Sequence, residues 1–263
     1  MSRARLLALQ ILVAVLGLAF WHVLTTTPLA GDPKKMQFFF STPWDVLARC
    51  VKDLAGGEIW RHLAITLTEA LLAFVIGAGA GVVIGFWFAR QALLAAVFDP
   101  YVKAINALPR VVLAPIFALW FGLGIWSKVA LGVTLVFFIV FFNVYQGVKE
   151  VSPVVLANAR MLGASRRQLL RSIYLPSATS WVFSSLHTSV GMAFVGAVVG
   201  EYLGSAKGVG YLILQAEGVF DINTVIAGIF VLTIFALLLD FIVTRIERRL
   251  LVWRPRTAET EAL

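Results

Sequence analysis

The chain has 263 residues, 60% of them hydrophobic and 14% charged, against roughly 45–50% and about 25% in an average soluble domain. That balance describes an integral membrane protein. The net charge of +8 follows from basic residues sorted to the inner side of a membrane, and no basic cluster is interleaved with base-stacking aromatics, so the charge does not mark a nucleic-acid surface. The single cysteine, Cys50, excludes an internal disulfide and any multi-cysteine metal site.

Requiring about 17–25 mostly apolar residues per crossing, the sequence predicts six spans, at about 6–26, 63–89, 107–125, 128–146, 177–200 and 224–244. Backbone groups in lipid must bond within their own segment, so the expected fold is an all-α bundle of six transmembrane helices. The basic start and apolar run of the first segment resemble a signal peptide. The run is longer than a usual signal core, and Pro28 stands where a cleavage site wants a small residue, so it reads as a retained span. Residues 27–62 form an outer loop in which Pro43 starts and Gly56-Gly57 end a short surface helix, with Trp44, Val46, Leu47, Val51 and Leu54 as its apolar stripe.

The second span carries Gly77, Gly81 and Gly85 at spacings of four, a small-residue face for close helix packing or a subunit interface. The third carries Pro109 and Pro115, which invite a break and fit either a transport path or a buried kink. With both termini inside, most lysines and arginines fall on the inner side, among them Arg90, Lys103, Arg110, Lys149 and the arginines after 245, while Lys34, Lys35, Arg49, Lys52, Arg61, Lys128 and Lys207 fall outside. The organisation expected is 1–62 as first helix and outer loop, 63–250 as core with an inner loop at 150–176, and 251–263 as a cytoplasmic tail.

The inner loop reads SPVVLANARMLGASRRQLLRSIYLP. Ser152 suits an N-cap, Pro153 the first helical position, and Gly163 the left-handed residue that ends a helix. Ser165-Arg-Arg-Gln168 is a capping box that opens a second helix, expected to run to Leu175-Pro176. Val155, Ala159 and Leu162 share one face of the first helix, and a loop this short has no core of its own. The face therefore needs lipid, the protein's own bundle or another protein as its cover.

The pattern Gly163, nine residues, Ile173, one residue, Leu175, Pro176 resembles the signature loop of permease subunits of binding-protein-dependent ABC importers. Ala157 stands where that signature has glutamate and Ala159 matches its second alanine. The stretches AINALPRVVLAPIFALWFGLG and GEYLGSAKGVGYLI are similar to the sulfonate, taurine and nitrate group of these permeases, over roughly residues 60–254. The resemblance implies a type I importer fold in the bacterial inner membrane, no catalysis on this chain, and a loop that docks on a cytoplasmic ATPase through Ala157, Ala159, Arg160, Leu162, Gly163, Ala164, Ser165, Ile173, Leu175 and Pro176. It also implies ATP and Mg on that partner, a periplasmic binding protein that delivers the solute, and pairing of two permeases. In agreement, the sequence has no Gly-x-x-x-x-Gly-Lys-[Ser/Thr] phosphate loop.

Candidate path residues are Asn143, Ser185, His187, Thr188, Ser189 and Glu201. For the hydroxyls the alternative is helix glue, for Asn143 a helix contact, and for Glu201 a solvated turn. Glu69 and Asp240 sit near span ends, where solvent or an arginine could hold them. The scattered His22, His62 and His187 predict no metal site. A secondary transporter would want an inverted repeat and mid-membrane coupling carboxylates, and an intramembrane enzyme a converging nucleophile and base. Neither pattern is legible.

Overall fold

The computed structural model describes residues 3–251, and the expected tail, with Arg254 and Arg256, lies outside them. Among the described residues all regular structure is helical: α1 (Arg3–Thr26), α2 (Pro33–Phe40), α3 (Pro43–Gly56), α4 (Glu58–Arg90), α5 (Ala92–Asn106), α6 (Ala114–Phe121), α7 (Ile125–Lys149), α8 (Pro153–Met161), α9 (Arg166–Leu169), α10 (Leu175–Gly204), α11 (Val209–Gly218) and α12 (Ile222–Leu250). Five helical stretches are long and apolar enough to cross a membrane, and a bent pair supplies a sixth.

That bent pair corrects the span expected at 107–125. The segment is not one helix: α5 stops at Asn106, a 3-10 turn covers Arg110–Leu113, α6 runs only to Phe121, and the two limbs meet at 83°. The cause is local. Pro109 lacks a donor and disfavours helical geometry at Leu108, and Pro115 begins the next limb. The second inner-loop helix also differs from expectation, because it does not stop at Pro176. After α9 a π turn spans Leu170–Tyr174 and leads directly into α10, so residues 166–204 form one helical stretch. Widening the turn just before Pro176 accommodates a residue that cannot donate the usual bond and whose ring crowds the preceding turn.

The chain divides into two compact units. The first gathers residues up to Trp60 with 212–231. Here Asp32 caps α2, Thr42 caps α3, and Gly57 ends α3 at φ +81. The Trp21 indole donates to Phe40 O at 3.2 Å and stacks on Phe230, Ser41 bonds Asn223, and Arg49 reaches Asp53 at 2.9 Å and Asp221 at 3.4 Å. The apolar stripe expected on α3 is not one buried face. Val46 is buried, whereas Trp44, Leu47 and Val51 are exposed.

The second unit, residues 61–211 with 232–251, is built around α7, whose buried face includes Leu131, Val136, Val140 and Val144. Small residues let its neighbours approach. A Cβ on Gly77 or Gly81 would lie 2.8 Å from Cβ of Val136 or Val140, and one on Gly85 would lie 2.7 Å from Phe141 O. These three glycines thus seat α4 on α7. On the other side Gly196 of α10 abuts Gly132, Gly200 abuts Lys128, and Gly147 takes the Trp181 ring at 2.5 Å from a built Cβ. Backbone-to-backbone approach of this kind replaces the hydrophobic drive that lipid removes.

Candidate functional site

The inner loop is built by local chemistry. Ser152 precedes Pro153 at the start of α8, and the helix ends in a left-handed Gly163 at φ +79. The Ala164 amide donates to Ala159 O and the Gly163 amide to Arg160 O, both at 3.0 Å, which is the six-to-one and five-to-two pairing of a Schellman cap. Ser165 then accepts from the Gln168 amide while the Gln168 side chain accepts from the Ser165 amide, completing the capping box. No residue of α8 is buried. Met161 and Leu162 are 84% and 89% exposed, Val154 and Val155 also face outward, Ala157 and Arg160 are exposed, and Leu175 is half exposed. Ala159, Ala164, Ile173 and Pro176 are partly covered. Nothing lies within 4 Å of a Cβ built on Gly163, so backbone geometry alone selects glycine there.

At the other end of α4, α7 and α10 the chemistry turns inward. Glu201 is fully buried, and its carboxylate accepts from Thr66 Oγ1 and from the Gly210 amide, each at 2.6 Å. The Val209 amide donates to Thr66 Oγ1 at 2.9 Å and the Gly208 amide to His62 Nδ1 at 3.1 Å. Three consecutive amides are therefore spent on α4 and α10. A Cβ on Gly208 would overlap the Glu201 carboxylate, and one on Gly210 would lie 2.8 Å from it. Gly208 and Gly210 of GEYLGSAKGVGYLI leave the space that carboxylate occupies.

Two further charges join this cluster. Glu69 is 1% exposed and faces Glu201 within hydrogen-bonding reach, with its Oε2 otherwise unpartnered. Neither solvent nor an arginine, the holders expected for it, surrounds it: Thr66 and Glu69 turn toward α10 from the same face of α4. Lys128 is also 1% exposed, and its ammonium donates to the carbonyls of Leu123, Gly124 and Gly204 at 2.5, 3.1 and 2.8 Å. The sequence offered Lys128 only as an outside lysine. The one signal of its burial is the small residue Gly200, which makes room for its stem.

The remaining candidates separate. Asn143 bonds back to Ile139 O at 2.8 Å and Ser185 to Val182 O at 2.7 Å, while Ser189 is buried with an unpartnered hydroxyl and Thr188 is exposed. His187 lies between two acids of α12, Nδ1 2.6 Å from Asp240 and Nε2 3.0 Å from Glu247. Asp240 is thus held by a histidine rather than by solvent or an arginine. Both contacts can be hydrogen bonds at once only if a proton is added to the neutral ring or to one acid. Among the described residues no cluster has the geometry to hold a metal ion.

Arg110, expected among the inner basic residues, contacts the middle of α7. Its guanidinium lies 4.6 Å from the Phe138 ring, 3.4 Å from Leu135 O and 3.4 Å from Asn106 O, and it also touches Asn106 Oδ1.

Comparison with known proteins fits a helical permease. The family described as "Binding-protein-dependent transport system inner membrane component" matches residues 81–252. SsuC of Bacillus subtilis (strain 168), named for transport of aliphatic sulfonates, is 33% identical over 93% of this chain and 87% of its own. The formylaminopyrimidine transport permease protein ThiX of Halalkalibacterium halodurans is 31% identical over 91% and 93%. An inward-facing structure of the MetNI methionine ABC transporter superposes with a TM-score of 0.56 at 21% identity, covering 79% of this chain and 96% of that one, which shows the fold. The chain belongs to the family of inner membrane components of binding-protein-dependent transport systems, the multi-pass permease subunits of ABC importers.

Proposed function

We propose that this permease moves a small anionic solute of the aliphatic sulfonate type, delivered by a periplasmic binding protein, with ATP and Mg bound on a separate cytoplasmic ATPase. The observation that carries the ATPase reading is the α8–α9 loop. It is rigidly capped at both joints, yet it leaves Val154, Val155, Met161 and Leu162 uncovered by its own chain. A capped helix with a bare apolar face is a fitted part, and an ATPase cleft is the cover. Two copies pair, both termini face the cytoplasm, and closing of the ATPases on ATP draws the paired α8 helices together and opens the outer side. Hydrolysis resets the cycle.

Similarity to SsuC supports the sulfonate class. A second reading, a vitamin precursor such as a pyrimidine, draws on the likeness to ThiX.

The test is purification of the tagged protein in mild detergent from its own cells, with mass spectrometry of what accompanies it. A stoichiometric ATPase whose association weakens in Leu162→Ala is the expected result. That residue is 89% exposed, so the substitution should leave thermal stability within about 0.5 kcal/mol. A stable protein with neither an ATPase partner nor ATPase activity would overturn the importer reading in favour of a secondary transporter.

A further inference from the structure

Arg110 opens the 3-10 turn between α5 and α6, at the 83° break. Leu135 and Phe138, which it contacts, lie near the midpoint of α7. Leu135 is about 15 Å from Ile125 and about 21 Å from Lys149 along the axis at 1.5 Å per residue. A bilayer core is about 30 Å thick, so the guanidinium sits at its centre.

Its partners do not balance it. Among the described residues no carboxylate lies within ion-pair distance of Arg110. Its carbonyl contacts at 3.4 Å are at the long limit of hydrogen bonding, and the side chain is only half buried. A guanidinium has five N–H donors in a planar fork, and the contacts to Asn106 and Leu135 leave part of that fork open. A charge at this depth is costly and is retained facing protein or water. The surrounding backbone requires the same setting, since non-helical chain is tolerated at depth only where protein or a water-filled cavity meets it. Leu108, Val111 and Val112 at the break are all exposed. Nothing among the described residues covers these side chains, so in the assembled transporter the break meets the paired copy or the aqueous path.

From this geometry we infer that Arg110 is the residue of the path that recognises the anionic head of the solute. Its open fork receives two oxygens of a sulfonate while the exposed side chains of Leu108, Val111 and Val112 accommodate a short alkyl chain. A planar fork matches two anionic oxygens as a lysine point charge does not, and the solute supplies the counter-charge that the chain lacks. This inference rests on the anionic-solute reading above, and its test separates the two.

Proteoliposomes containing the permease, its ATPase and its binding protein are assayed for uptake of ethanesulfonate. Expected is uptake by the parent protein, a loss of at least tenfold in Arg110→Gln, and an intermediate loss of about threefold or more in Arg110→Lys, which keeps the charge but not the planar fork. Parent uptake with Arg110→Gln retaining half or more overturns the role of Arg110 and leaves the solute class standing. A parent that takes up only neutral solutes overturns both.

A second measurement is independent of how Arg110→Gln folds. In a Cys50→Ser background Val112→Cys is reacted, in the assembled complex, with a sulfonate-bearing and with a trimethylammonium-bearing methanethiosulfonate. Arg110 predicts a rate ratio shifted at least tenfold toward the anionic reagent relative to a free thiol. An unshifted ratio, or no reaction with either, overturns the inference.

Discussion

The two ends of the α4, α7 and α10 bundle solve opposite problems. At the Glu201 end, the Gly208, Val209 and Gly210 amides, the Lys128 ammonium and the Thr66 hydroxyl all find partners within the chain, and glycine is required because a carboxylate occupies the space a Cβ would need. At the α8 end, the backbone is capped at Gly163 and Ser165, yet no side chain of α8 itself is buried. Residue identity at the first end is therefore written in stability. At the second it is written in something the chain meets.

The sharpest way to break this contrast is Gly208→Ala. A methyl would overlap the Glu201 carboxylate at a residue held at φ +107, and the expected loss is about 5 kcal/mol, in the range reserved for such overlaps. It should be read as a lowered thermal midpoint in detergent and poor recovery of folded protein. A near-native midpoint would show that the cluster is soft.

Lys128→Met comes next, at about 3–4 kcal/mol, because it strands three carbonyls and two acids in a dry site. Combining it with Glu201→Gln should restore part of that loss. Strict additivity in the double-mutant cycle would mean that the charges do not sense one another.

Gly163→Leu reverses the pattern. The strain of a left-handed leucine is about 1–2 kcal/mol with no clash inside the chain, so the protein should stay folded in the membrane while ATP-driven uptake is abolished. Normal uptake would remove the loop from the coupling mechanism.

The smallest effect belongs to the first compact unit. Burial pushes the Asp221 carboxyl up, but hydrogen bonds from Thr224 and the charge of Arg49 outweigh it and hold it below the ordinary carboxylate range. A depressed folded pKa stabilises above the unfolded value of about 3.9 and ceases to as pH falls through the folded value. Asp221→Asn should therefore cost no more than about 1 kcal/mol at pH 7 for so exposed a pair, and nothing at pH 2. A difference that persists at pH 2 would assign the effect to packing.

Legibility in the sequence followed the range of the interaction. The caps at Gly163 and at the Ser165–Gln168 box were legible because they act within a few residues of themselves, whereas Ser152, expected as an N-cap, makes no side-chain capping bond. Apolar runs located the long helices for the same reason. The third span misled because hydropathy sums over Pro109 and Pro115 without registering the missing donors. Glu69, Lys128 and Glu201 come from three helices, so no window along the chain contains them together. Gly208 and Gly210, which admit Glu201, and Gly200, which admits Lys128, were their traces in the sequence.

The π turn at Leu170–Tyr174 joins the capping box at Ser165 to Glu201 without a loop between them. A continuous stretch of 39 residues is about 58 Å long at 1.5 Å per residue, and tilting such a rod by about 5° about one end displaces the other by about 5 Å. The exposed α8 end and the sealed Glu201 end are in that sense the two tips of one lever. The widened turn is its compliant section, where a wider hydrogen-bonding ring can absorb a change of register without melting the helix.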